Sequence, residues 1–525
     1  MTAKITTQCL VIGGGIAGIS AAISAAEKGL EVIVLTAANE IKESNTLYAQ
    51  GGIIYRALKE TPERLENDIL EAGCGINYLP AVKQLCRMGP ALVKDVLIEK
   101  ARVPFDMEGG QLSLTREGGH SESRILHKGD QSGLAIETAL LHYCEQFANI
   151  KFLTSHTAVN LLMTSFHSRD RSLRHEEARC FGAFVFNPLT EEVYPIYADH
   201  TVLATGGIGQ LFLHNTNSQF ARGDGIALAY RAGCRMEDLE YIQFHPTTFY
   251  EPASHRFLIS EALRGEGAIL LNAQGERFLP KYLPQYSIPE LAPRDRVAKA
   301  IHQELLSSGQ PCVYLDISFK ESNWIKERFP FVYKACLNHG VDITQKPIPV
   351  VPGAHYHCGG VWVDLQGKTS VAHLWAVGEV ACTGLHGANR LASTSLLEGL
   401  VWGSEAGKTI ASELEHQKSF EFPEIEEWKS ETAKVDSSFL VQDWLTLKNT
   451  MWNYVGLIKT ETRLKRAQGI LTELSRGIDV FYRKAQLSDE LIGLRQAVLV
   501  ANLVVEACLR NNKSLGCYQR EDLVI

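Results

Sequence analysis

The sequence predicts an α/β protein: a doubly wound dinucleotide-binding domain, interrupted by an inserted α+β capping domain and followed by a C-terminal helical bundle. Three features carry this expectation. Near the N-terminus an apolar strand runs into a glycine-rich turn and a helix of small residues. Far along the chain a second apolar run ends in Gly378-Glu379, and the segment between is long enough for a domain of its own. From residue 437 onward apolar side chains recur at helical spacing.

Length and composition frame these elements. At 525 residues the chain is too long for a single hydrophobic core. Its 45% apolar and 21% charged residues are those of a soluble globular protein. A formal charge of −8 argues against nucleic acid or anionic lipid as a partner. The twelve cysteines show no C-x-x-C pair and no metal-ligand spacing, so no metal site is expected. Scattered thiols point to a reducing compartment, the cytoplasm. Residues 10–26 imitate a signal peptide, but they lack a basic flank and contain three consecutive glycines. No other segment reads as a membrane anchor.

The first element is the strand Cys9-Leu10-Val11-Ile12, followed by Gly13-Gly14-Gly15-Ile16-Ala17-Gly18, which fits G-x-G-x-x-G. Residues 20–28 read as the helix, Gly29 as its left-handed cap, and residues 31–35 as the second strand. Gly13 permits the tight turn, Gly15 lets backbone approach a pyrophosphate, and Gly18 lets helix and strand pack closely. With Ala17 they are the phosphate-side candidates, at a helix N-terminus whose N–H groups and dipole attract anions. The acid that would bind an adenosine ribose is missing from the second strand's end, where Thr36 offers a hydroxyl instead.

Three later segments select the cofactor. The polar loop Asn45-Thr46-Leu47-Tyr48-Ala49-Gln50-Gly51-Gly52 follows the second strand, and Val202-Leu203-Ala204-Thr205 breaks into Gly206-Gly207. The strand ending in Gly378-Glu379 resembles the second FAD fingerprint of flavoproteins, its acid placed for a ribityl hydroxyl. Together they make FAD the expected cofactor.

Longer motifs carry a resemblance over the whole chain. They include Tyr48-Ala49-Gln50-Gly51-Gly52, Arg116-Glu117-Gly118-Gly119-His120-Ser121, Gln243-Phe244-His245-Pro246-Thr247 and Glu261-Ala262-Leu263-Arg264-Gly265-Glu266-Gly267. Ala292-Pro293-Arg294-Asp295, His355-Tyr356-His357-Cys358-Gly359-Gly360 and His386-Gly387-Ala388-Asn389-Arg390-Leu391-Ala392-Ser393 complete the set. In these the chain resembles the succinate dehydrogenase/fumarate reductase flavoprotein superfamily and, within it, the L-aspartate oxidases.

The resemblance implies roles. Asn45 matches the position where dehydrogenases carry a histidine bonded to flavin, so the FAD is expected to be non-covalent. Glu117 stands where dicarboxylate enzymes tend to have a neutral residue, and it would hold a substrate α-ammonium. Arg390 would clamp one carboxylate with its planar fork. His245 and His355 would bind the other, with Gln243 and Ser260 adding hydrogen bonds. Arg294 corresponds to the superfamily's proton-transferring arginine. Thr46, Tyr48, Ala49, Gln50, Gly51, Gly52, Asp224, Glu379, Ser395 and Leu396 are expected on the cofactor. Ser393 or Ser395 would cap a helix whose N-terminal dipole faces the flavin. Taken singly, a loop histidine or one of 52 basic residues marks no site; the resemblance singles these out.

The expected FAD-binding domain covers residues 1–237 and 350–415, and the capping domain 238–349. The proline-rich residues 347–353 read as the return hinge. Residues 416–436 read as a linker and 437–525 as the helical domain. There Leu447, Met451, Val455 and Ile458, then Leu491, Leu494, Val498 and Val505, form stripes read as core packing. The implied reaction is oxidation of L-aspartate to iminoaspartate by hydride transfer to FAD, with oxygen or fumarate as acceptor. It would feed the quinolinate branch of NAD biosynthesis, with transient contact to quinolinate synthase as a further implication. A soluble fumarate reductase, or a flavoprotein subunit docked to an iron–sulfur partner, stays open as an alternative.

Overall fold

The computed structural model describes residues 4–57, 61–251, 257–416 and 420–523. The chain begins with strand β1 (Ile5–Ile12) and helix α1 (Ile16–Ala26), every residue of which is buried. The helix starts at Ile16, earlier than the sequence suggests, directly on the glycine turn. After β2 (Val32–Leu35) come α2 (Ser132–Cys144), β3 (Ile150–Leu153), β4 (Thr157–Met163), β5 (Cys180–Asn187), β6 (Glu192–Leu203) and α3 (Asp224–Arg231). A second body then holds β7 (Ile242–Phe249), α4 (Glu261–Gly265), β8 (Ile269–Leu271), α5 (Arg294–Ser308), β9 (Val313–Asp316), α6 (Pro330–Asn338) and β10 (Ile348–His357). Strand β11 (Leu374–Ala376) and the long helix α7 (Thr394–His416) return to the first.

The main sheet runs β3-β2-β1-β6-β5-β4, and β11 lies parallel to the C-terminal end of β6. Parallel pairing aligns Ile12 with Leu35 and Leu203, and Leu203 with Ala376. Four strands thus release their chains at one edge, where open α/β sheets bind nucleotides. Helix α7 packs along α1 through Gly399, Gly403 and Gly407. A Cβ on Gly403 or Gly407 would come within 2.3 or 2.4 Å of the Ala17 or Ala21 carbonyl oxygen.

The second body has its own antiparallel sheet, β7-β10-β9-β8, and its own core, including Leu263, Val297, Ile301 and Phe329. Here one expectation is corrected. Residues 347–353 form no hinge; all but Pro347 lie within β10, which pairs with β7 on one side and β9 on the other. The pairing passes from His245 with Gly353 to Thr248 with Val351, so Pro246 and Pro352 fall in a bulge where the ladder is interrupted.

The described part of the expected linker, residues 420–436, has little regular structure but is not loose. Phe420, Phe422, Ile425 and Trp428 strap it onto Phe181, Phe184 and Tyr197 of β5 and β6. Helices α8 (Ser437–Val455), α9 (Glu461–Lys484) and α10 (Asp489–Arg510) follow, capped by Asp436, Thr460 and Ser488. Both apolar stripes are buried. By length and a mean hydropathy of 1.6, α10 would pass for a membrane span, which the sequence reading overlooked. Its apolarity is spent inside the bundle, where 72% of the apolar window is buried.

Candidate active site

The turns leaving the four aligned strand ends border a deep cavity that opens to solvent. Gly13, Gly15 and Ala17 line it at the N-terminus of α1, beside Thr36, Asn45, Thr46, Tyr48, Ala49, Gln50, Gly51 and Gly52. Glu379, Ser395 and Leu396 close another wall. The glycine at position 13 is required twice over. Its φ is +124°, and a Cβ there would sit 2.0 Å from the Ala204 carbonyl oxygen. Gly18 lies behind the wall, where a Cβ would meet the Gly13 carbonyl oxygen at 2.1 Å, so its part is close packing.

Side chains brace this cradle. The Thr46 hydroxyl accepts the Ile16 N–H (3.0 Å), and the Thr36 hydroxyl accepts the Ala38 N–H (3.2 Å). Asn45 accepts the Ser218 N–H through Oδ1 (2.8 Å) and donates to Glu379 Oε2 (3.4 Å). Glu379 also accepts the His357 N–H (3.0 Å), and desolvation pushes its carboxyl up to about 7. Gln50 donates to the Leu258 carbonyl (2.6 Å), while its buried Oε1 has no partner. Tyr48 sits at the rim, its hydroxyl on Glu43. A cradle that side chains would fill, a helix N-terminus and an acid at a strand end suit a dinucleotide. Asp224 departs from expectation. It is absent from the cavity wall, and its carboxylate takes the Arg222 guanidinium at 2.8 Å, which in turn reaches Asp489 of α10.

The other end of the cavity is charged. His245, His355, Arg294, Arg390, Glu117, Ser260 and Glu261 all line it. The two histidines come from neighbouring strands, β7 and β10, with ring centroids 5.1 Å apart. His245 Nδ1 lies 3.2 Å from both the N–H and the carbonyl oxygen of Thr247, and its Nε2 is buried without a partner; in the tautomer that accepts the Thr247 N–H, Nε2 carries the proton. His355 Nδ1 meets the Thr216 hydroxyl at 2.7 Å. Burial, reinforced by Arg294 beside His245 and Arg390 beside His355, holds both rings far below the usual imidazole pKa. Both rings are neutral.

The arginines are fixed from behind. Arg294 Nε donates to Glu261 Oε2 (2.7 Å), and Arg390 Nη1 donates to Ser395 (2.9 Å). Gln243 Oε1 lies between them, 3.4 Å from Arg294 Nη1 and 3.2 Å from Arg390 Nη2. Its amide nitrogen is committed to Asn389 and the Arg390 carbonyl. Gln243 is therefore a spacer between guanidinium groups, not the expected cavity-lining contact. Ser260 keeps its place on the wall while its hydroxyl caps α4 through the Ala262 N–H (3.2 Å).

Two carboxylates share this end with opposite electrostatics. Glu117 is half-buried and accepts the Ser393 hydroxyl (2.7 Å); burial raises its pKa, and Arg294 opposes the rise. Glu117 Oε1 lies over Gly51, 2.3 Å from where a Cβ would stand. Burial would raise Glu261 as well, but Arg294 and Arg264 bring its carboxyl down to about 2. The sequence reading gave Glu261 and Arg264 no role. Their signal was the i,i+3 spacing of an acid and a base, which puts both on one face of a short helix.

Known proteins resemble this chain over most of its length. A family described as FAD binding domain matches residues 8–396. The L-aspartate oxidase of Pseudomonas aeruginosa is 42% identical, over 98% of this chain and 95% of that protein. That of Halobacterium salinarum is also 42% identical, over 99% and 98%. The chloroplastic L-aspartate oxidase of Oryza sativa is 37% identical, over 98% and 81%. Among solved structures, E. coli quinol fumarate reductase superposes with a TM-score of 0.87 at 26% identity, covering 99% of this chain and 92% of that one. Mycobacterium smegmatis Sdh1 superposes with a TM-score of 0.83 at 30% identity, covering 99% and 89%.

Proposed function

Because this chain belongs to the L-aspartate oxidase family of FAD-dependent oxidoreductases, we propose that it oxidises L-aspartate to iminoaspartate. FAD, when bound, supplies the acceptor for the hydride that leaves Cα. Gly13, Gly15 and Ala17 would hold it at the N-terminus of α1, Thr46, Asn45 and Glu379 along the middle, and Ser395 and Leu396 at the start of α7. Asn45 has no ring nitrogen to bond to the flavin, which supports a non-covalent cofactor.

The observation that carries the substrate assignment is Glu117 at the charged end of the cavity, beside arginines and neutral histidines, where the other carboxylate, Glu261, is already paired with Arg294. Cations and N–H donors alone would suit any dicarboxylate. A carboxylate among them costs affinity for anions and is useful when the ligand also carries an ammonium. In this reading Arg390 grips one carboxylate through a planar fork. The His245 Nε2–H and His355 receive the other. Glu117 holds the α-ammonium and so turns the Cα–H towards the flavin. Arg294, paired with Glu261, adds positive charge and leaves the ends of its fork for ligand.

The oxidised product is an imine, and oxygen or fumarate would return the cofactor to its oxidised form. The product would enter NAD biosynthesis through quinolinate, in the cytoplasm, with transient contact to quinolinate synthase. A second reading, soluble fumarate reductase, is favoured by the Arg294–Glu261–Arg264 chain of ion pairs and by the fold shared with a fumarate reductase.

Anaerobic titration of the FAD-loaded chain separates the two. Bleaching of the flavin by L-aspartate but not succinate is expected. Glu117→Gln should raise KM for L-aspartate about thirtyfold, the worth of one lost charge-assisted hydrogen bond. No bleaching by L-aspartate, with reduced protein reoxidised by fumarate, would replace the first reading by the second.

A further inference from the structure

Arg390 is a buried cation with no ionic partner. Its two terminal nitrogens donate to the neutral groups Ser395 and Gln243, and its Nε has no acceptor. Among the described residues, no carboxylate lies within ion-pairing distance of it. Such a charge needs compensation, and Glu379 and Glu117 supply part of it from beyond contact distance. The group it faces is the ring of Tyr356, whose centroid lies 4.3 Å from the guanidinium carbon.

That ring has a carboxylate behind it. The Tyr356 hydroxyl donates to Glu398 Oε2 at 2.7 Å, and His386 Nε2 meets the same oxygen at 2.9 Å. Glu398 Oε1 accepts the Thr383 hydroxyl at 2.6 Å. Glu398 is 1% exposed. Burial opposes its ionisation, but His386, Thr383 and Tyr356 overcome it and keep the carboxyl below its usual range. Glu398 and Ser395 lie three residues apart on α7, so one helical turn supports Arg390 directly and the Tyr356 ring from behind.

We propose that Glu398, acting through the Tyr356 ring, is a counter-charge that holds Arg390 in place for a substrate carboxylate. The inference rests on reading Arg390 as the carboxylate clamp. A phenol that donates to a carboxylate gains electron density, and its ring face attracts a cation more strongly. A direct glutamate–arginine pair would occupy the guanidinium fork and compete with the ligand. Compensation through a ring face leaves the N–H edge free. Tyr356 touches the clamp and lines the cavity; Glu398 and His386 are positioning residues.

The test is calorimetric titration of the FAD-loaded chain with malonate, a dicarboxylate that cannot be oxidised at an amine. Tyr356→Phe keeps the ring and removes the link to Glu398. Glu398→Gln removes the charge. Each should weaken malonate about tenfold, and the double variant should be no weaker than the worse single one. KM for L-aspartate should rise in step while kcat changes far less. Unchanged binding in both single variants, or losses that multiply in the double, would overturn the proposal. Should Glu398→Gln not fold, Tyr356→Phe decides alone: a tenfold rise in KM supports the link, and an unchanged KM refutes it. Arg390→Lys separates the premises. If it leaves malonate binding unchanged, the clamp reading falls and takes this inference with it. If it weakens binding while Tyr356→Phe does not, only the inference falls.

Discussion

Gly13 and Arg390 face the same cavity but shape it by different means. At the cofactor end the wall is backbone: glycine turns at the ends of parallel strands, braced by single hydroxyl and amide contacts. At the substrate end it is side-chain charge, brought together from β7, α4, α5, β10 and the loop before α7. A wall made of backbone spreads its work over many small contacts. A wall made of charge concentrates it in a few groups. The two ends should therefore fail differently when single residues change.

The largest effect is expected at the substrate end. Arg390→Leu removes the clamp and leaves Gln243 and Ser395 without their donor. Losing one member of a buried charged contact costs about 4 kcal/mol, so kcat/KM for L-aspartate should fall roughly a thousandfold. The flavin-to-protein ratio should change far less, because Arg390 braces Ser395 but no part of the glycine cradle. Loss of flavin in this variant would mean that the two ends are not separable.

Glu261→Gln comes next and reads out in stability. It strips the anion from between Arg294 and Arg264 and leaves two guanidinium groups facing each other, a loss of about 3 kcal/mol measurable by denaturant titration. The pH dependence follows from its lowered pKa. Folded Glu261 titrates near 2, below the ordinary 4.5, so its contribution is complete above about pH 4.5 and fades as pH falls towards 2. The variant should lack that acid limb. An equally steep limb in the variant would assign it to other carboxylates.

At the cofactor end Gly13→Ala probes the backbone itself. A left-handed φ and a Cβ 2.0 Å from a carbonyl oxygen force the turn to move. The expected cost is about 2 kcal/mol, with weakened FAD retention on gel filtration. Normal retention would show that the turn has room the structure does not suggest.

The same contrast explains what the sequence revealed. The strands around Gly13 and Gly378 are local signals: an apolar run, then a turn that only glycine tolerates, within a few residues. The fold and the cofactor crevice were legible for that reason. The substrate end was legible only through longer motifs, because nothing local to Glu117, His245 or Arg294 states that they meet. Glu261 stood inside a quoted motif and still went unassigned, since its meaning lies in Arg294 more than thirty residues away. Residues 347–353 read as a hinge because prolines are uncommon inside a paired strand, yet Pro349 lies in the ladder with β9 and Pro352 lies where the pairing with the distant β7 is interrupted. The strap bearing Phe420 and Trp428 looked like a linker because its apolar residues follow no period; they answer to the sheet surface they cover. Asp224 failed in the reverse direction. The resemblance placed it on the cofactor, but the structure pairs it with Arg222.

The smallest expected effect is the sharpest check on the comparison. Thr36 occupies the strand end where an acid would bind a ribose, and its hydroxyl accepts the Ala38 N–H at 3.2 Å. Thr36→Val keeps the shape and removes that one acceptor. If the cofactor end works through backbone form, the cost is that of a single neutral hydrogen bond, about 1 kcal/mol or a fivefold rise in the FAD dissociation constant. L-Aspartate turnover at saturating FAD should be unchanged, because the hydroxyl lies at the nucleotide end of the cavity. A hundredfold loss of FAD affinity would put Thr36 on a par with Arg390. The cofactor end would then depend on one polar side chain as heavily as the substrate end does, and the division between a wall of backbone and a wall of charge would have to be given up.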